Sequence, residues 1–68
     1  MPFIQVTMIE GRTVDQKHAL IKQITQACIS TLDAQPDNVR IAIYEVSADE
    51  WGVAGEAVSV MRARTAKS

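Results

Sequence analysis

Four residues are of a type that can do chemistry together: Pro2, Arg12, Arg40 and Trp51. Proline directly behind Met1 is a small residue of the kind that normally allows the initiator to be trimmed, which leaves a secondary amine. An α-amino group titrates near pH 8 in a peptide, closer to neutrality than a lysine amine. Apolar surroundings and a nearby cation both disfavour its protonated form and lower that value further. A neutral amine near pH 7 is a good general base, contributing about 10²- to 10⁴-fold in rate. Proline is nonetheless common at position 2, and alone it identifies nothing. The planar fork of arginine binds carboxylates bidentately, so Arg12 and Arg40 are candidates for gripping an anionic substrate. Their ordinary explanation is a structural salt bridge or an edge-strand charge. Trp51, the single tryptophan, suits the apolar wall of a pocket and equally a core or interface aromatic.

The remaining reactive side chains are better explained by packing or solvation. Cys28 falls on an apolar helical stripe and reads as a small core residue. His18 lies in the polar first half of the same helix and reads as solvated. Tyr44 shares a strand face with Arg40, with core packing its expected role. One cysteine with one histidine makes neither an internal disulfide nor a zinc site, and no phosphate-binding glycine loop or nucleophile elbow is present. No metal or cofactor is therefore expected. A net charge of −1 and a pI near 5.6 argue against a nucleic-acid partner, which needs concentrated basic surface. No apolar run reaches the roughly 18 residues that span a bilayer, and the start of the chain lacks a signal-peptide pattern. A cytoplasmic protein with no membrane partner is the expectation.

The elements that must position these residues follow from the hydrophobic pattern. Phe3 to Ile9 is rich in β-branched residues and bounded by Pro2 and Gly11, which predicts a strand with apolar residues on both faces. Thr13 is a candidate N-cap, and Gln16 three residues on completes a capping box. Asp15 in the first turn suits the helix dipole. Apolar residues at 20, 21, 24, 27, 28 and 32 predict a helix from Val14 to about Leu32, with Ile29 off the stripe. Asp33 to Asn38, containing Pro36, is a turn. Val39 to Val46 is a second strand, with Val39, Ile41 and Ile43 on one face and Arg40, Ala42 and Tyr44 on the other. The fold class is α+β: a short βαβ unit with two parallel strands, one helix, a right-handed crossover and a C-terminal hairpin or short strand. Ser47 to Trp51 reads as a loop, Gly52 to Gly55 as a turn, and Glu56 to Met61 as a short strand. Residues 1–62 make the domain and 63–68 a frayed C-terminal tail.

A chain of 68 residues is marginal as an isolated domain and usually needs a staple. With no disulfide or metal, partner subunits are what is left. The single helix covers one face of the strand pair, so the other face must be covered by another chain.

Taken in order, these features resemble the 4-oxalocrotonate tautomerase family. The resemblance runs from Pro2 to about Arg62. It includes Glu10-Gly11-Arg12, Gln16-Lys17 with Leu20-Ile21, Leu32-Asp33-Ala34, Val39-Arg40 with Glu45 closing the strand, and Trp51-Gly52 followed by Gly55-Glu56. It implies the tautomerase fold and a cofactor-free keto-enol isomerase of aromatic-hydrocarbon catabolism. In that family the catalytic proline falls on Pro2, the substrate-binding arginines on Arg12 and Arg40, and the aromatic of the hydrophobic pocket on Trp51. Sites form between subunits of a homohexamer, a trimer of dimers, so Arg12 and Arg40 would come from neighbours of the chain supplying Pro2. The implied substrate is a 2-hydroxydienoate such as 2-hydroxymuconate.

Three positions depart from the family pattern. Trp51 is larger than the usual phenylalanine, Ala54 replaces a glycine and should stiffen its turn, and six residues follow Arg62. Two other readings remain. One is hydrolytic dehalogenation or hydration on the same scaffold, for which Glu50 is the nearest acid to Trp51 in sequence while position 53 is Val. The other is a non-catalytic subunit of a hetero-oligomer.

Overall fold

β-Branched and aromatic residues crowd both ends of the central helix, and the strands form there. The computed structural model describes residues 2–66 as β1 (Phe3–Ile9), α1 (Val14–Leu32), β2 (Arg40–Val46), β3 (Gly52–Val53), β4 (Glu56–Ala57) and α2 (Val58–Ala66), with 3-10 turns at Pro36–Asn38 and Ala48–Glu50. The trimming of Met1 and the last two residues of the expected tail lie outside the described residues. β1 and β2 pair in parallel over their full length, Phe3 opposite Arg40 and Ile9 opposite Val46. β2 starts one residue later than the pattern predicts. The Val39 N–H is used by the Pro36 carbonyl at 3.2 Å, which closes the preceding 3-10 turn.

The start of α1 is as its sequence reads. The Thr13 hydroxyl accepts from the Gln16 N–H at 3.0 Å, and the Gln16 amide oxygen accepts from the Thr13 N–H at 2.9 Å. This reciprocal cap is worth about 1 kcal/mol. Asp33 ends the helix in the left-handed conformation at φ 55°, which aspartate tolerates better than most residues.

Register places Ile4, Val6 and Met8 beside Ile41, Ile43 and Glu45 on the face towards α1, and Phe3, Gln5 and Thr7 beside Arg40, Ala42 and Tyr44 on the opposite face. α1 turns Leu20, Ile24 and Cys28 inwards, and Cys28, 8% exposed, is the one buried residue among those described. Ile21 and Leu32 of the expected stripe are exposed, whereas Ile29 is half-buried. On the open sheet face Phe3 is 61% and Tyr44 50% exposed, so Tyr44 has no core role within one chain. The chain extends 48 × 24 × 16 Å with a radius of gyration of 15.9 Å, against about 11 Å for a compact chain of this length. This geometry leaves the sheet face that carries Phe3 and Tyr44 without cover.

The C-terminal part forms the expected hairpin but not a strand as far as Met61 or a frayed tail. Pairing lasts two residues, Gly52 with Ala57 and Val53 with Glu56, and the chain is helical from Val58 to Ala66. Ala54 (φ 53°) and Gly55 (φ 83°) form the two-residue link. Two successive left-handed residues match the twist of a tight hairpin. Glycine adopts that conformation freely, but an alanine there costs about 1–2 kcal/mol. α2 is tied back to the hairpin by an ion pair between Arg64 and Glu56.

Candidate active site

The sequence places its four candidate residues at two opposite ends of the parallel pair. Pro2 sits where β1 begins. Its carbonyl accepts from the Arg40 N–H at 3.0 Å, forming the first rung of the ladder. Proline has no N–H to place in a sheet, so the strand loses nothing by starting there. Pro2 is half-buried and borders a shallow cavity of about 520 Å³ with Leu32, Ala34 and Asn38. Arg40 begins β2 on the adjacent strand, on the open face. Its Nε–H reaches the Asp37 carbonyl only at 3.4 Å, and it has no ion-pair partner among the described residues. A structural salt bridge, its ordinary explanation, is therefore not made among the described residues.

Arg12 and Trp51 lie together at the other end. Arg12 follows Gly11, whose φ of 131° is open to glycine alone. A Cβ at Gly11 would meet no atom within 4 Å, so backbone geometry and not space fixes that residue. The Glu10 N–H donates to the Val46 carbonyl at 2.8 Å, and the capping box begins immediately after Arg12. The connection is thus held on both sides of the arginine. Trp51 ends the Ala48–Glu50 turn, and its carbonyl accepts from the Val58 N–H at 2.9 Å, which docks the start of α2. Arg12 and Trp51 line one groove of about 490 Å³. Arg12 has no ion-pair partner among the described residues.

The two pairs do not meet within one chain. Seven strand residues separate Pro2 from Glu10, which at about 3.3 Å per residue is roughly 20 Å or more. A site containing all four residues needs groups from more than one copy.

Two features of the groove end went unread in the sequence. Arg62, assigned to the last residue of the domain, lies on α2 and lines the groove beside Arg12 and Trp51. Its signal was the run of helix-forming Met, Arg and Ala residues from 61 to 64, obscured by the alternating valines before it. The second is the bond from Lys17 Nζ to Glu45 Oε1 at 2.8 Å, joining the first turn of α1 to the end of β2. The two side chains are 23% and 31% exposed. Such a partly solvated pair contributes about 1 kcal/mol or less to stability.

The family model described as tautomerase enzyme matches residues 2–61. A probable tautomerase of Ralstonia nicotianae is 58% identical over 55 residues, covering 81% of this chain and 79% of the relative. A 2-hydroxymuconate tautomerase of Pseudomonas putida is 49% identical over 55 residues, covering 81% and 87%. Among solved structures, one of the 4-oxalocrotonate tautomerase isozymes from Methylibium petroleiphilum superimposes with a TM-score of 0.90 at 43% identity, covering 93% of this chain and 98% of that one. The βαβ unit with its appended hairpin, the family match from Pro2 onwards and these likenesses place the chain in the tautomerase enzyme family, among the isomerases related to 4-oxalocrotonate tautomerase.

Proposed function

We propose that this chain, assembled as a homohexamer arranged as a trimer of dimers, converts a 2-hydroxydienoate such as 2-hydroxymuconate to its conjugated 2-oxo isomer. Pro2, its amine exposed once Met1 is removed, takes the enol proton. The electrons of that O–H bond form the carbonyl, the nearer C=C pair moves to the bond between the two alkenes, and the farther C=C pair takes a proton at its distant carbon, which leaves one C=C conjugated to the carbonyl. Arg40 binds the carboxylate and oxygen at the reacting end, where a fixed guanidinium in a dry site stabilises developing charge strongly. Arg12 grips the far carboxylate and draws electron density towards it. Trp51 excludes water and helps keep the amine neutral.

The observation that carries this reading is that Arg12 and Arg40, one at each end of the sheet, have no carboxylate partner among the described residues, a state that Arg62 beside Arg12 shares. Two such cations, brought to one site from different copies, would suit a substrate with two separated carboxylates. Membership of the family and the P. putida relative named for 2-hydroxymuconate support the same substrate class. Glu50, the acid a dehalogenase or hydratase would need to activate water, instead accepts from the Ser47 hydroxyl at 3.2 Å in its own turn, which favours the isomerase.

The test is a spectrophotometric assay of 2-hydroxymuconate ketonisation on protein whose mass shows that Met1 is absent. Turnover of the dienol faster than of a 3-haloacrylate is expected. The reverse order would favour the dehalogenase, and activity in protein that keeps Met1 would sink the amine mechanism.

A further inference from the structure

Three restraints hold the connection that carries Arg12. Two are local or made by backbone: the Glu10–Val46 hydrogen bond and the Thr13–Gln16 capping box. The third, between Lys17 and Glu45, joins two charged side chains 28 residues apart in sequence. Lys17 and Arg12 border the same small cavity of about 210 Å³, together with Met8 and Leu20. Glu45 is the register partner of Met8 and shares its sheet face. The Glu45 carboxylate therefore bonds to a cation that walls the cavity Arg12 also walls.

This juxtaposition creates a competition. A guanidinium offers a carboxylate two parallel hydrogen bonds where an ammonium offers a point charge. A Glu45 carboxylate released from Lys17 would compete for Arg12 from within the chain, at the high effective concentration of a tethered group. The far carboxylate of a substrate would then have to displace it.

We propose that Lys17 is a positioning residue: by engaging Glu45 it keeps that carboxylate off Arg12 and leaves the Arg12 guanidinium open to the far carboxylate of a dicarboxylate substrate. The substrate part of this inference rests on the role proposed above for Arg12.

The test compares the processed, assembled protein with Lys17→Met, Glu45→Gln and the Lys17→Met/Glu45→Gln double variant. Two quantities are measured. One is the rate at which the arginine-selective reagent phenylglyoxal modifies Arg12, followed by peptide mass spectrometry. The other is KM and kcat for a dicarboxylate and a monocarboxylate dienol. Lys17→Met is expected to slow Arg12 modification and to raise KM for the dicarboxylate about tenfold, with kcat and the monocarboxylate KM near wild type. Glu45→Gln should resemble wild type, and the double variant should recover both the modification rate and KM. A merely structural pair would leave the double variant as impaired as Lys17→Met, and that result overturns the proposal. So does an Arg12 modification rate unchanged in Lys17→Met, or an equal KM rise on both substrates. The modification arm needs no turnover. If neither dienol reacts, the functional reading fails while the Arg12 pattern still decides the role of Lys17.

Discussion

The two ends of the parallel strand pair are built in contrasting ways. At the Arg12 end, a glycine with φ 131°, a backbone bond to Val46, a reciprocal helix cap and the Lys17–Glu45 pair all restrain one short connection. At the Pro2 end, one backbone rung, the backbone bonds of the 3-10 turn before Arg40 and a long contact from Arg40 to the Asp37 carbonyl hold the described residues with no pair of side chains, and Phe3 beside them is open. A binding group can be preorganised by its own chain, because local restraints fix its direction. A base that must be both desolvated and near cations cannot be, since the chain is too small to enclose it. On the proposed mechanism, the end with little support of its own is the one that would depend on partners.

Substitutions at the two ends should separate along this line. The largest effect is expected for Pro2→Ala, with loss of about 10²- to 10⁴-fold in kcat for 2-hydroxymuconate and an unchanged thermal midpoint; a loss under tenfold would remove Pro2 as the base. Arg40→Ala should lower kcat by about 10²- to 10³-fold. Arg12→Ala should instead raise KM for the dicarboxylate about 10- to 100-fold, the worth of a hydrogen bond to a charged group, and spare a monocarboxylate dienol. Equal insensitivity to both arginine changes would place the site elsewhere. Gly11→Ala tests preorganisation itself. Forcing an L-residue to φ 131° should destabilise the protein by about 1–2 kcal/mol and weaken dicarboxylate binding more than monocarboxylate binding, as read by thermal unfolding and by KM. Smallest and opposite in sign, Ala54→Gly should relieve the left-handed alanine of the hairpin and stabilise by about 0.5–1 kcal/mol, with activity unchanged.

The contrast also explains what could be read in the sequence. β1 and α1 were legible to the residue because their signals are local: β-branched alternation, Pro2 and Gly11 as boundaries, and Thr13 with Gln16 as a cap. α2 was not. Val58 and Val60 imitate strand alternation across a window too short to separate the two periods, and the helix formers that follow decide the outcome. In the site, the residue types of Pro2, Arg12, Arg40 and Trp51 announced themselves. Their separation by the length of a strand followed from the strand read between Pro2 and Arg12, whereas spacing along a chain does not say which copies of that chain meet. The Lys17–Glu45 bond was invisible for a related reason: the parallel register that joins residues 28 apart exists only after the crossover has folded.

The first rung of the sheet has a practical consequence for anyone who makes this protein. Arg40 bonds to the carbonyl of Pro2, so a tag or fusion partner attached ahead of Pro2 leaves the ladder intact. Such a product keeps the first rung of the strand pair. Its proline nitrogen would be an amide, with no basicity left to use. On the proposed mechanism, purification handles belong at the other terminus, and an inactive preparation calls first for a mass measurement of its leading residue.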